Sequence, residues 1–348
     1  MCQHRSGIRP LTLTRETKDK GWHMAFSRAK LLTGLVATSA LVLAGCSGGG
    51  SGGDGGDDTY RVGINQLVQH PALDAATAGF KQAFADAGVE VEFDEQNANG
   101  EQATALTIAQ QFAADNLDLT LAVATPAAQA MAQNIINIPL LFTAVTDPVS
   151  AELVDSMEAP GANVTGTSDA APIERQLELL KKIVPDAKTV GIVYASGEVN
   201  SQVQVDQAKE AARPLGLEIQ TQTVTTVNEI QQAVEALGDV DAIYVPTDNM
   251  IVSGISSLVQ IAETKKIPVI AAESGTVEGG AIATLGIDYT ELGRQTGEMA
   301  LRILRDGADP ATMPIETATE FTYVVNEAAA QRQGVTIPED VLAEAERK

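Results

Sequence analysis

The chain has 348 residues, 44% of them hydrophobic, with 46 acidic against 23 basic side chains and a formal net charge of −23. An acid excess of this size excludes nucleic acid and anionic membrane surfaces as partners, because both are held by basic patches. Two cysteines and three histidines leave little material for disulfides, metal sites or catalytic dyads.

At the amino end, Arg28 and Lys30 precede an apolar run from Leu31 that closes on small residues, the order of an export signal. The run falls short of the roughly 20 residues needed to cross a bilayer. Its last four residues, Leu43-Ala44-Gly45-Cys46, resemble the bacterial lipobox. That resemblance implies cleavage before Cys46 and lipidation of its thiol, with the protein exported and anchored on the extracytoplasmic side of the cell membrane. Met24 is the expected start, and 1–45 the segment removed. Seven basic and two acidic residues go with it, so 16 basic and 44 acidic residues remain, a net charge near −28. Residues 46–59 then form a lipidated cysteine and a Gly/Ser/Asp linker, a flexible coil spanning about 20 Å. Cys46 is the one cysteine past the signal, so no intrachain disulfide is expected and stability rests on packing.

From residue 60 the predicted elements alternate: strand 60–68, helix 71–87, strand 89–93, helix 101–115, strand 119–124, helix 126–136 and strand 140–144. Apolar runs without alternation, separated by helical patterns, are buried parallel strands with helices on both faces, an α/β architecture. The series then repeats. Val62-Gly63-Ile64 returns as Val190-Gly191-Ile192, Gly88-Val89-Glu90-Val91 as Gly216-Leu217-Glu218-Ile219, and Ile138-Pro139-Leu140-Leu141 as Ile267-Pro268-Val269-Ile270. Three pairs in register predict two similarly built lobes.

Ligands of open parallel sheets sit beyond the carboxyl ends of the strands, and in two lobes those ends can face each other across a cleft. The loops expected there are Gln69-His70-Pro71-Ala72-Leu73-Asp74, Thr125-Pro126-Ala127 and Thr143-Ala144-Val145-Thr146-Asp147-Pro148 in the first lobe. The second supplies Tyr194-Ala195-Ser196-Gly197-Glu198, Thr247-Asp248-Asn249 and Glu273-Ser274-Gly275-Thr276. Each carries helix-capping residues, and helix N-termini with free N–H groups suit a carboxylate. Thr125 and Thr146 fit that role, while Asp248, Glu273 and Asp288 are candidate partners for an ammonium.

Together with the lipobox, the stretches His70-Pro71-Ala72-Leu73-Asp74, Thr125-Pro126-Ala127-Ala128-Gln129, Phe142-Thr143-Ala144-Val145-Thr146-Asp147-Pro148-Val149, Asn163-Val164-Thr165-Gly166, Tyr244-Val245-Pro246-Thr247-Asp248-Asn249 and Gly286-Ile287-Asp288-Tyr289 resemble one family. These are the ABC-transporter substrate-binding lipoproteins associated with tryptophan and tyrosine uptake. The resemblance implies a type I periplasmic-binding-protein fold with two Rossmann-like lobes and three crossings. It places 60–166 and 289–312 in the first lobe and 167–288 and 313–348 in the second. It also implies a zwitterionic, aromatic or related amino acid held in the cleft and handed to a permease and its ATPase by a monomer that closes about its hinge. On that reading Thr125, Ala127 and Thr146 surround the carboxylate, and Asp248 or Glu273 meets the ammonium. Gln69, His70, Asp147, Asn249 and Asp288 line the pocket, and Phe142 or Tyr194 stacks on the ring.

Catalysis finds no support in the residues. Past the Gly/Ser linker there is no Gly-x-Ser-x-Gly elbow, and nowhere a His-Glu-x-x-His helix or phosphate loop. His4 and His23 precede the signal, so His70 alone remains for a metal site or triad. No cofactor is implied. A sensor presenting its ligand to a membrane receptor, or a binder of a sugar or other small solute, remains open as the alternative.

Overall fold

The computed structural model describes residues 59–348. The export signal, Cys46 and the linker through residue 58 lie outside them.

The first lobe runs β1 (Tyr60–Gln66), α1 (Pro71–Asp86), β2 (Val91–Asn97), α2 (Gln102–Ala114), β3 (Leu119–Val123), α3 (Thr125–Ala132), β4 (Leu140–Thr143) and β5 (Val164–Ser168). These five strands pair in parallel in the order β5-β4-β3-β1-β2. The inner strands are buried along nearly their whole length, as strands covered by helices on both faces must be. β2 forms the edge and runs four residues past its expected end at Phe93. There Asp94 to Asn97 keep the backbone ladder to β1 although their side chains are polar.

The second lobe contains α4 (Ile173–Ile183), β6 (Thr189–Ala195), α5 (Val199–Ala212), β7 (Glu218–Val224), α6 (Ile230–Ala236), β8 (Ala242–Val245), α7 (Asn249–Ser253), α8 (Ile255–Lys265), β9 (Val269–Ala271), α9 (Ser274–Glu278) and β10 (Ala283–Gly286). The chain then returns to the first lobe as α10 (Tyr289–Asp306) and β11 (Glu316–Thr317). It ends in the second with β12 (Thr322–Val325), α11 (Glu327–Gln333), α12 (Glu339–Glu344) and β13 (Ala345–Arg347). The second sheet has the order β13-β12-β10-β9-β8-β6-β7, and only the β10–β12 pair is antiparallel.

The repeated segments occupy matching positions for a physical reason. A Cβ on Gly63 in β1 would stand 2.7 Å from the Leu117 side chain, and one on Gly191 in β6 would stand 2.6 Å from Leu237. Both first strands are thus bare where the loop before the third strand of each lobe folds over them. Gly88 and Gly216 close the following turns with φ of +64° and +68°, a left-handed conformation that favours glycine.

Two crossings lie at 169–172 and 287–288. The third differs from the expected position near 312–315. β11 pairs in parallel with β5 (Glu316↔Thr167, Thr317↔Ser168), and Met313 and Ile315 are buried in the first-lobe core. The chain therefore crosses at 318–321, and 313–317 belong to the first lobe. Thr167 and Ser168, expected in the second lobe, likewise complete β5 in the first.

α10 fixes the hinge end of the first lobe by lying directly on α1. A Cβ on Gly79 would fall 1.9 Å from the Thr290 carbonyl oxygen, and one on Gly293 would fall 1.9 Å from that of Ala76. Backbone touches backbone at both sites, which sets the position of Tyr289 at the head of α10. In the second lobe, Tyr244 donates to Gln176 Oε1 at 2.6 Å, and Gln176 Nε2 donates to Ala272 and Leu285 carbonyls. This buried network ties α4 to the sheet end facing the first lobe.

Candidate functional site

Strands β1 to β4 of one lobe and β6, β8 and β9 of the other end at the interface, and residues that follow them touch. Gln102 Nε2 donates to the Gly197 carbonyl at 2.9 Å, Thr146 Oγ1 meets Thr247 Oγ1 at 3.2 Å, and His70 Nε2 lies 3.3 Å from Asn249 Oδ1. The lobes are closed on each other. Between the lobes lies a small cavity of about 10 Å³, room for about one water in this closed state, so a larger ligand enters only when the lobes part.

One wall comes from the first lobe: His70, Ala72, Leu73 and Ala144. Pro71 opens α1 at the position where its missing N–H costs nothing. No side chain caps this helix, so its first-turn N–H groups face the cavity end uncapped. The opposite wall is Asn200, Thr247, Asp248, Asn249, Val252 and Glu273, and the hinge adds Asp169 and Tyr289. Three of these residues are acids and none is Lys or Arg.

The acids differ in how far the protein itself satisfies them. Asp248 accepts from the backbone N–H of Ala195 at 2.6 Å and of Ile251 at 2.8 Å, capping α7. Burial pushes its carboxyl up, and those N–H groups hold it back. Glu273 accepts from Gly275 N at 2.8 Å and from the N–H and hydroxyl of Thr276. Behind the wall, Glu198 receives four donors: Asn249 Nδ2 at 2.6 Å, Asn200 Nδ2 at 3.0 Å, and the N–H groups of Met250 at 3.0 Å and Asn249 at 3.1 Å. Burial, then the charge of Asp248, pushes Glu198 up to about 7, while the amide donors pull it down. Asp169 is the exception. Its Oδ2 accepts from the Tyr289 hydroxyl at 2.9 Å, but its buried Oδ1 has no hydrogen-bond partner. Burial raises its carboxyl against the lowering effect of the nearby Thr146 and Tyr289 hydroxyls.

Of the expected site residues, His70, Asp248, Asn249 and Glu273 line the cavity, and Thr146 bridges the lobes beside it. Asp248 and Glu273 also cap helices through local N–H groups, while no Lys or Arg lining the cavity balances their charge. Phe142 lies wholly in the first-lobe core, packed against Gly166, and Tyr194 is buried in the second-lobe core with its hydroxyl on Gln202. Neither ring reaches the cavity, because both sit on strands covered by helices. Gln69 is exposed on a groove formed with α1 and β2, Asp147 caps Ser150, and the exposed Asp288 caps α10. Thr125 and Ala127 are buried at the head of α3 and do not line the enclosed cavity, whereas Pro126 between them lines the cleft mouth. Thr247 and Tyr289 stood in the quoted loops without an assigned role, and Asp169 and Asn200 were not singled out from the sequence. Asp169 carried one readable signal, an acid standing directly after the crossing strand Val164–Ser168, where its carboxyl meets the end of the sheet.

Among the described residues no group of three or more His, Cys, Asp or Glu could hold a metal ion. No described helix is long and apolar enough to cross a membrane.

Residues 61–348 match the family model described as "ABC transporter substrate binding protein". A "Tyrosine-binding protein" of Clostridioides difficile (strain R20291) is 43% identical over 271 residues, covering 76% of this chain and 78% of that protein. A solved Streptococcus pneumonia ABC domain in complex with L-Trp is 38% identical with a TM-score of 0.81, covering 83% of this chain and 99% of its own. The ligand-free, open structure of a Clostridium difficile substrate binding protein with adhesive properties has the same coverage and 44% identity, but a TM-score of 0.65. The more similar sequence superposes less well, as expected when its lobes are apart and those of this chain are together. Matched over residues 61–348, along its whole two-lobed body, the chain belongs to the ABC transporter substrate-binding proteins, a family that binds its solutes without transforming them.

Proposed function

We propose that the chain captures a free amino acid, of aromatic type, in the interlobe cavity and delivers it to an ABC permease and its ATPase from the extracytoplasmic side, tethered through lipidated Cys46. One observation carries this reading: the closed cleft sets carboxylates with no Lys or Arg among them opposite an uncapped helix N-terminus of the other lobe. These are the two partners a zwitterion needs. The names of the relatives support the aromatic class. A ligand bridging both walls binds the closed form better than the open one and shifts the population toward it. The permease then reads the closed surface.

The only tryptophan is Trp22, ahead of Cys46, so the mature chain carries none to obscure ligand fluorescence. A thermal-shift screen of the twenty amino acids and common sugars tests the reading, because a ligand that binds only the folded state raises the melting temperature by mass action. L-tyrosine or L-tryptophan should give the largest rise. A flat response to every amino acid, or a rise confined to sugars, would refute it.

A further inference from the structure

Five buried side-chain atoms among the described residues have no hydrogen-bond partner, and three belong to residues lining this one cavity: Asp169 Oδ1, His70 Nδ1 and Asn200 Oδ1. All three residues are more than nine-tenths buried, and leaving a buried polar atom unmatched is costly. The network around them determines what each atom lacks. Glu198 accepts from Asn249 Nδ2, so Asn249 turns its Oδ1 toward His70. Two acceptors cannot face each other, so His70 Nε2 carries the proton and donates, which leaves Nδ1 as a bare lone pair on a neutral ring. Asn200 spends its Nδ2 on Glu198 and the Thr247 carbonyl, which leaves its Oδ1 as an acceptor. Asp169 Oδ1 is a carboxylate oxygen. The cavity thus presents three orphan acceptors, one of them charged, and no orphan side-chain donor.

We infer that Asp169, His70 and Asn200 form the seat of the ligand's ammonium group, with Asp169 as its counter-ion and the Glu198–Asn249 pair as the positioning element that fixes the histidine tautomer. This assignment rests on the amino-acid reading and deepens it. A primary ammonium brings three N–H donors and one positive charge to three acceptors and one carboxylate. A hydroxyl-only ligand would leave the Asp169 charge buried and unbalanced. The seat also explains how binding reaches the hinge. Asp169 stands on the first crossing, its other oxygen is bound by Tyr289 just after the second, and Asn200 belongs to the second lobe. The ammonium therefore joins both lobes at the pivot.

Isothermal titration of the mature chain with L-tyrosine, tyramine and 3-(4-hydroxyphenyl)propionate tests this. The first two probes carry the ammonium and the third lacks it. Wild type should bind L-tyrosine at least about 30-fold more tightly than the des-amino acid. Asp169→Asn should remove that preference while leaving the weak affinity for the des-amino acid unchanged. Asn200→Ala should cut L-tyrosine affinity about tenfold and spare the des-amino acid, which keeps the test alive if Asp169→Asn fails to fold. Equal binding of L-tyrosine and the des-amino acid by wild type would overturn the seat while the amino-acid reading stands. Asp169-dependent binding of tyramine with no response to any amino acid would refute that reading and keep the seat. Failure of both amines to bind, with no response to any other amino acid, would overturn both.

Discussion

The two lobes share one plan, yet their cavity walls do opposite work. The first-lobe wall is small and apolar apart from His70, and what it offers is backbone: the uncapped first turn of α1. The second-lobe wall is a buried polar lattice in which Asp248, Glu273 and Glu198 are each held by several N–H donors. A lattice satisfied by its own lobe keeps its shape whether the cleft is open or shut. The first lobe then needs only to carry a helix end and one imidazole up to it. At the cavity each lobe leaves one acceptor unsatisfied, His70 Nδ1 and Asn200 Oδ1, and the charged one belongs to Asp169 on the crossing between them.

That division can be broken from either side. The largest effect is expected in the first lobe, where Gly293→Val would drive a side chain into the Ala76 carbonyl and separate α10 from α1. A loss of about 3 kcal/mol or more in denaturant unfolding is expected, with ligand binding lost because Tyr289 moves with the helix. In the second lobe, Asp248→Ala strands the N–H groups of Ala195 and Ile251. Unfolding should show a cost of about 2–3 kcal/mol. Because Asp248 is already occupied, its removal should weaken ligand binding far less than Asp169→Asn does. An equal loss in the two variants would show that the second-lobe lattice meets the ligand charge directly.

The buried acids also set a pH dependence. Burial holds Glu198 at about 7 in the folded chain, above its ordinary value of 4.5, and it raises Asp248 and Asp169 in the same direction. Their folded forms bind protons more readily than the unfolded chain does, so stability is greatest below the ordinary carboxylate range and falls as pH rises toward 7. For Glu198 the fall is at most about 3 kcal/mol between pH 4.5 and 7. Melting temperatures across that window should decline, and Glu198→Gln should flatten the profile. The smallest effect belongs to the cleft mouth. Gln102→Ala removes one exposed cross-lobe hydrogen bond to Gly197, and ligand affinity should drop about fivefold at most.

Much of the scaffold was legible because buried parallel strands leave unbroken apolar runs, and the matched glycines 63 and 191 mark the same packing event twice. β2 ran longer than its apolar residues suggested, since an edge strand is held by backbone pairing. The third crossing was misplaced because β11 has two residues and no pattern of its own, only a partner in β5. Among site residues, His70, Asp248, Asn249 and Glu273 were found as polar groups at strand ends. Their roles were not readable, because a capping carboxylate and a ligand-binding carboxylate are the same residue type until the donors around them are known. Phe142 and Tyr194 failed as ring partners for a similar reason, since a strand aromatic points into whichever layer covers it.

A crystal structure of the mature chain with L-tyrosine or L-tryptophan would test the central claim most directly. The account predicts the ligand nitrogen within hydrogen-bond distance of Asp169 Oδ1, His70 Nδ1 and Asn200 Oδ1, with the lobes closed around the ligand and further apart than here. A ligand ammonium resting on Asp248 or Glu273, or a ligand bound outside the interlobe cavity, would contradict it.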